Sequence, residues 1–229
     1  KLAIATGAKP IVPNIPGAEK SNVFYLRNVL QADKIKEYIL AHKPKSAVIV
    51  GTGFIGLEMT ENLKTLGSEV TMVERLNQVT PGLDSDMAVY VEKYLKGKNI
   101  NVILDDSVVE LNGYGLINQV VLQSGKVLNT DFVIMSIGVK PNVEIAKEAG
   151  IELGAKGAIK VNTKMMTNIE NVYACGDCAE SYSVITKKSF YRPLGSTANK
   201  MGRIAGDQLS GGNLEFRGIL GTGIFKIFD

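Results

Sequence analysis

The residues with the clearest chemical purpose are Gly51, Gly53 and Gly56, set in the run Gly51-Thr52-Gly53-Phe54-Ile55-Gly56. Three glycines at this spacing suit a phosphate-binding turn. The first permits a tight reversal, the second lets the backbone approach a pyrophosphate, and the third lets a helix pack closely on a strand. Such a run is a weak sign alone, and its surroundings decide its worth. Here an apolar run, Ser46–Val50, precedes it, helical spacing follows, and a second strand ends in Glu74, 23 positions after Gly51. A helix starting at Phe54 would turn free N–H groups and a positive dipole end toward the phosphates, with Thr52, Phe54 and Ile55 in the turn. Glu74 is placed to accept hydrogen bonds from an adenosine ribose diol, and its charge disfavours a 2′-phosphate, so NADH is preferred over NADPH. Arg75 works against that preference, because a guanidinium can receive the phosphate.

These residues need a parallel α/β framework, and the chain supplies one. A strand over residues 1–6 runs into Gly7 and a turn region holding Pro10, Pro13 and Pro16-Gly17. Apolar spacing predicts a helix over 28–42, stopped by Pro44. After the strand at 46–50 comes a helix over 54–66, with Ile55, Met59, Leu63 and Leu66 on one face and Gly67 closing it. A strand over 69–74 leads to a helix opened by Asp84 and carrying Met87, Val91 and Leu95. Apolar runs at 100–104, 107–111, 116–122 and 132–137, broken by Asn112-Gly113 and Ser124-Gly125, read as an antiparallel meander. A short helix over 143–149, strands near 158–161 and 172–174, and a helix over 194–209 complete the pattern. The expected class is α/β, a Rossmann-like parallel sheet with the meander inserted.

Composition narrows the function classes. With 229 residues and 45% hydrophobic content, the chain can bury one or two cores. The charge balance of +3, without a basic cluster, argues against a nucleic-acid or membrane partner. No apolar run approaches the roughly 20 residues of a membrane span. The two cysteines, Cys175 and Cys178, provide no disulfide framework, which points to a reducing, cytoplasmic setting. Their C-x-x-C spacing invites a redox or zinc reading. Zinc wants four ligands, and the single histidine, His42, is distant in sequence and placed at a helix end; small buried thiols are the expectation. The strand pattern that opens the chain without Met, and the alternating run at 224–229, suggest an excerpt of a longer polypeptide.

Three further motifs carry a family resemblance. Ala5-Thr6-Gly7 with Pro10, Ile137-Gly138-Val139-Lys140-Pro141-Asn142, and Tyr173-Ala174-Cys175-Gly176-Asp177 resemble, in order and spacing, segments of the FAD-dependent pyridine nucleotide-disulfide oxidoreductases. Pro193-Leu194, Arg203-Ile204-Ala205 and Gly221-Thr222 are most similar to the coenzyme A-disulfide reductase and NADH oxidase branch. The resemblance implies hydride transfer from NADH to FAD and on to a disulfide or oxygen, in a homodimer. It implies FAD contacts at Thr6, Gly7, Gly176 and Asp177, and a nicotinamide-side role for Glu58 and Gly138. Glu58 reads equally well as a first-turn acid favouring the helix dipole, and Gly138 as a strand terminator. By the same resemblance, residues 1–43 end a first FAD segment and linker, 44–140 form the NAD domain, 141–217 a second FAD segment, and 218–229 open an interface domain. The redox cysteine would lie before Lys1, leaving this portion inactive alone and its strands at 1–6 and 172–174 without sheet neighbours. The competing readings are a stand-alone dinucleotide-binding module and a nicotinamide-only dehydrogenase. Neither a catalytic His nor a Tyr–Lys pair supports the latter.

Overall fold

In the computed structural model, which describes residues 1–228, the chain divides into two compact units. One takes residues 1–9 with 139–224, and the other takes 10–138 with the described residues from Phe225. The chain opens with β1 (Leu2–Ile4) and β2 (Ala8–Pro10). It continues through β3 (Val23–Tyr25), α1 (Val29–His42), β4 (Ser46–Val50), α2 (Phe54–Thr65), β5 (Glu69–Val73) and α3 (Ser85–Gly97). Next come β6 (Asn101–Ile103), β7 (Val108–Asn112), β8 (Gln119–Leu122), β9 (Val127–Asn129) and β10 (Phe132–Met135). Strand β11 (Val139–Pro141), α4 (Glu144–Glu148), β12 (Val172–Ala174) and α5 (Gly195–Leu209) follow.

The larger unit is built on a five-stranded, wholly parallel sheet ordered β3-β10-β4-β5-β6. Strand β10 is apolar and buried throughout, and β4 is so after Ser46, because both faces of the sheet are covered there. In β4, Ala47 and Ile49 enter one core while Val48 and Val50 enter the other; in β10, Phe132 and Ile134 alternate with Val133 and Met135. Helices α1 to α3 cover the first face with Ile35, Leu57, Leu63, Ala88 and Leu95. The second face is covered by the antiparallel β7-β8-β9 sheet, through Leu111, Val120 and Leu122, with Ile117 beside them. The inserted meander thus replaces a second helical layer.

Several expectations need correction. The meander has three strands: β6 and β10 belong to the parallel sheet, paired with β5 and β4, while β9 is an addition that the apolar runs do not reveal. Strand β3 is a further addition, and its pairing with β10 brings β3 and α1 into the larger unit. Helix α2 buries Gly56, Leu57, Thr60 and Leu63, and leaves Leu66 65% exposed. Small residues at 56 and 60 let the backbone approach the sheet, which rotates the buried face away from the bulkier side chains. Met87 is likewise exposed on α3, with Ala88 buried in its place. Residues 158–161 form only two isolated bridges, from Ile159 to Leu153 and to Ala179. The alternating run from Ile224 forms no strand over 224–228, and Asp229 lies outside the described residues. Phe225, Ile227 and Phe228 instead pack on the helical core of the larger unit.

In the smaller unit, β1 and β12 are parallel neighbours, with Leu2 opposite Val172 and Ile4 opposite Ala174. The expectation that these strands lack partners is therefore wrong: each covers an edge of the other. Their core joins Ile4, Ala146, Ile159, Ala174, Met201 and Ala205.

Candidate functional site

Strand order places the glycine turn. From β4 the chain builds outward on one side through β5 and β6, while β10 lies on the other side, so the order reverses between β4 and β10. A crevice at the carboxyl ends of strands at such a reversal is where open α/β sheets bind ligands. Gly51 follows β4 there with φ +99°, and a Cβ on it would lie 2.6 Å from the Ser136 carbonyl oxygen after β10. The Ser136 hydroxyl donates to the carbonyls of Val50 and Gly51, at 2.8 and 3.0 Å. A Cβ on Gly56 would collide with the Gly51 carbonyl oxygen. Gly53 differs: a Cβ there meets nothing within 4 Å. Two glycines are thus required by packing, and the third faces open space. Gly53 is also the N-cap of α2, without a side-chain cap and with no acidic residue in the first turn. The N–H groups of that turn are therefore available to an anion, so the residues present fit a dinucleotide pyrophosphate.

Around the turn, Glu74 is buried at 7% exposure. One oxygen, Oε2, accepts the Thr52 N–H at 3.0 Å and the Thr52 hydroxyl at 2.8 Å, and Oε1 accepts the Leu76 N–H at 3.1 Å. A carboxylate offers about four lone-pair positions, so the acceptor capacity left for a ribose lies on Oε1. Thr52, expected to line the turn, has its side chain fully buried beneath it. Arg75 is exposed beside Glu74. Phe54 is partly exposed, its ring 5.1 Å from that of Phe225, and Ile55 is half-buried. Glu58 is exposed and lies one residue past the first turn of α2, correcting its placement within that turn. Gly138 has φ +115°, and its carbonyl accepts the Ile11 N–H at 3.0 Å.

A second set of residues meets in the smaller unit. Thr6-Gly7 follows β1 and Gly176-Asp177 follows β12, so the parallel pairing brings both segments to the same sheet end. Asn142 ties the first segment down. Its side-chain amide donates to the Thr6 carbonyl at 2.9 Å, its own carbonyl accepts the Thr6 hydroxyl at 2.6 Å, and its N–H donates to the Gly7 carbonyl at 2.9 Å. Gly176 has φ +78°, and a Cβ added there would lie 3.5 Å from the Ala198 Cβ of α5. That helix also starts without a side-chain cap or a first-turn acid. A carboxylate at Asp177 and an uncapped helix start together match the hydroxyls and phosphates of a flavin dinucleotide.

Cys175 and Cys178 are free and buried. The Cys178 thiol donates to the Cys175 carbonyl at 3.2 Å, and burial, with Cys178 nearby, pushes the Cys175 thiol above its ordinary range. Neither feature favours a reactive thiolate. Replacing both by Ala in the full-length protein is expected to leave NADH-driven turnover largely intact. The expected cost is about 2 kcal/mol of stability, from small cavities, read as a lowered melting temperature. Abolished turnover in a folded, flavin-bearing variant would contradict this.

Sequence reasoning misses Ser136 and Asn22. Asn22, fully buried, donates to the Ile117 and Asp131 carbonyls and accepts the Ile117 N–H, joining the meander to β3 and β10. Nothing local in the sequence announces such a tie. A cavity of about 520 Å³ beside it is lined by Tyr38, His42, Lys45, Tyr114 and Asp131 among others. It borders the residues preceding β3, β4 and β10, at the amino ends of the strands, away from the glycine turn. His42 lies there at the end of α1, stacked on Tyr38 with centroids 4.3 Å apart.

Comparison with known proteins follows the same lines. The family model described as pyridine nucleotide-disulphide oxidoreductase matches residues 1–201. An NADH oxidase of Methanocaldococcus jannaschii is 41% identical over 229 residues, covering 100% of this chain and 51% of the relative. A solved NAD-dependent persulfide reductase from A. fulgidus superposes with a TM-score of 0.96 at 41% identity, over 100% of this chain and 42% of that one. A solved FAD-dependent pyridine nucleotide-disulphide oxidoreductase from Desulfovibrio vulgaris gives 0.91 at 35% identity, over 100% and 58%. The chain spans about half the length of the curated relatives it matches.

Proposed function

Because this chain belongs to the pyridine nucleotide-disulphide oxidoreductase family, we propose that it is the NADH-binding portion of a flavin-dependent oxidoreductase. The whole enzyme passes hydride from NADH to FAD and on to a disulfide, such as coenzyme A disulfide, or to oxygen. The observation that carries this reading is the glycine turn at the reversal of strand order, closed by packing at Gly51 and Gly56 and open at Gly53. Residues 51–56 hold the pyrophosphate on backbone N–H groups, Glu74 receives the adenosine ribose, and Gly138 with Glu58 borders the nicotinamide side. Thr6, Gly7, Gly176 and Asp177 hold part of the flavin dinucleotide, with Asp177 accepting from its ribityl hydroxyls. When bound, the nicotinamide supplies a hydride and the flavin relays the electron pair. Family membership favours this over a stand-alone dinucleotide-binding module.

No helix among the described residues is long and apolar enough to cross a membrane. With two free, buried thiols, the protein is proposed to work in the cytoplasm, as a homodimer.

The test is a visible spectrum of the full-length protein, followed by anaerobic addition of NADH. A flavin band that bleaches with NADH and returns with a disulfide or air is expected. A folded, colourless protein that binds NADH would favour the binding-module reading.

A further inference from the structure

Thr52 lies between the first two glycines of the turn, yet its side chain is fully buried and makes two hydrogen bonds. Its hydroxyl donates to Glu74 Oε2 at 2.8 Å and accepts the Thr80 N–H at 3.1 Å. Thr80 sits in the segment between β5 and α3, is 3% exposed, and has φ +49°. A β-branched residue in the left-handed region is an outlier that persists only where its surroundings fix it. Its own hydroxyl is buried without a hydrogen-bond partner, so the Thr52 contact is a main polar restraint on that outlier. One hydroxyl therefore links the phosphate turn, the ribose carboxylate and the segment that follows it.

We propose that Thr52 is a positioning residue for the adenosine ribose: its hydroxyl fixes the Glu74 carboxylate and the segment reaching Thr80, so discrimination against a 2′-phosphate depends on Thr52 as well as Glu74. This rests on the dinucleotide reading of the glycine turn. The chemical logic is one of orientation. Thr52 and Leu76 together engage both Glu74 oxygens, which holds the remaining Oε1 lone pair in one direction. Without the hydroxyl, Oε2 keeps only the Thr52 N–H, so the carboxylate is less firmly oriented, which weakens its bond to a ribose hydroxyl and relieves repulsion of a phosphate. NADH then binds less well and NADPH loses less.

The experiment titrates NADH and NADPH by fluorescence into the purified chain and its Thr52→Val, Thr52→Ser, Glu74→Ala and T52V/E74A variants, each with a thermal melt. T52V keeps the volume and removes the hydroxyl; T52S keeps the hydroxyl. Because Thr52 acts by orienting Glu74, the loss is bounded by the one charged hydrogen bond that Glu74 makes to the ribose, which predicts up to about tenfold weaker NADH binding. The NADH-to-NADPH preference should fall by a similar factor in T52V and stay within about twofold of wild type in T52S. The double variant should bind NADH no more weakly than E74A, since Thr52 acts through Glu74. Thr52→Ala reports the same loss if T52V does not fold. An unchanged preference in a folded variant lacking the hydroxyl, or penalties that multiply in the double variant, overturns the role of Thr52 alone. A folded wild-type chain that binds neither dinucleotide overturns the dinucleotide reading, and this role with it.

Discussion

A Gly53→Ala chain is expected to melt like the wild type and to bind NADH poorly. Its backbone, at φ −72° and ψ −177°, is open to any residue, and an added Cβ meets nothing within 4 Å. The change should therefore alter stability by less than about 1 kcal/mol in either direction. On the proposed dinucleotide reading, the same methyl group occupies the space through which a pyrophosphate reaches the first turn of α2. Charge-assisted hydrogen bonds are worth about 1.5–3 kcal/mol, so losing one amounts to roughly 10- to 100-fold in affinity. Gly51→Ala makes the contrast. It forces φ +99° on a residue with a Cβ and drives that atom to 2.6 Å from the Ser136 carbonyl oxygen. About 3 kcal/mol of stability should be lost, from backbone strain and overpacking together. Melting curves and NADH titrations on both variants separate the two roles. Wild-type NADH affinity in folded G53A would contradict the pyrophosphate assignment.

The second large effect expected is cofactor preference: NADH should bind at least about tenfold more tightly than NADPH, the worth of one charged hydrogen bond. Glu74 is the proposed source, and its burial complicates the obvious variant. Glu74→Ala should narrow the preference, but it also leaves the Thr52 hydroxyl and the Thr52 and Leu76 N–H groups without their acceptor. Buried donors stripped of partners cost about 1–3 kcal/mol each, so a lower melting temperature should accompany the change. Glu74→Gln retains an acceptor oxygen without the charge, and should narrow the preference with a smaller loss of stability. Arg75→Ala should widen the preference, because the exposed guanidinium is the group that could receive a 2′-phosphate. Equal affinities in the wild type would mean that Arg75 dominates.

What the sequence reveals is mostly local. The strand at 46–50, the turn at 51–56 and the helix after it are contiguous, and each residue type reports its own conformational demand. Asp84 is equally local and does stand at the N-cap of α3, though its side chain makes no capping hydrogen bond; the side-chain cap at Asn28 escapes the reading by apolar spacing. Strand partnership is a different kind of fact. Val133 pairs with Val48 across 85 positions of chain, and no local pattern distinguishes β10 from the hairpin strands before it. Asn-Gly and Ser-Gly turns mark real reversals, yet do not say where the meander ends. Strand β3, three residues long and preceded by proline and glycine turns, gives too short a pattern to read. The buried face of α2 escapes a reading by apolar spacing because Gly56 gains its importance from closeness to the Gly51 carbonyl, which only the folded turn creates, and Thr60 is buried with its hydroxyl on the Gly56 carbonyl. For the same reason Glu74 is legible as an acid at the right distance, while its grip on Thr52 is not.

The most direct test of the dinucleotide site is a titration of NADH into the purified 229-residue chain, with its fold verified by a cooperative melt. Saturable one-site binding, weaker for NADPH and lost in Gly53→Ala, is the expected result. A cooperatively folded chain that shows no saturable NADH binding would contradict the assignment of residues 51–74.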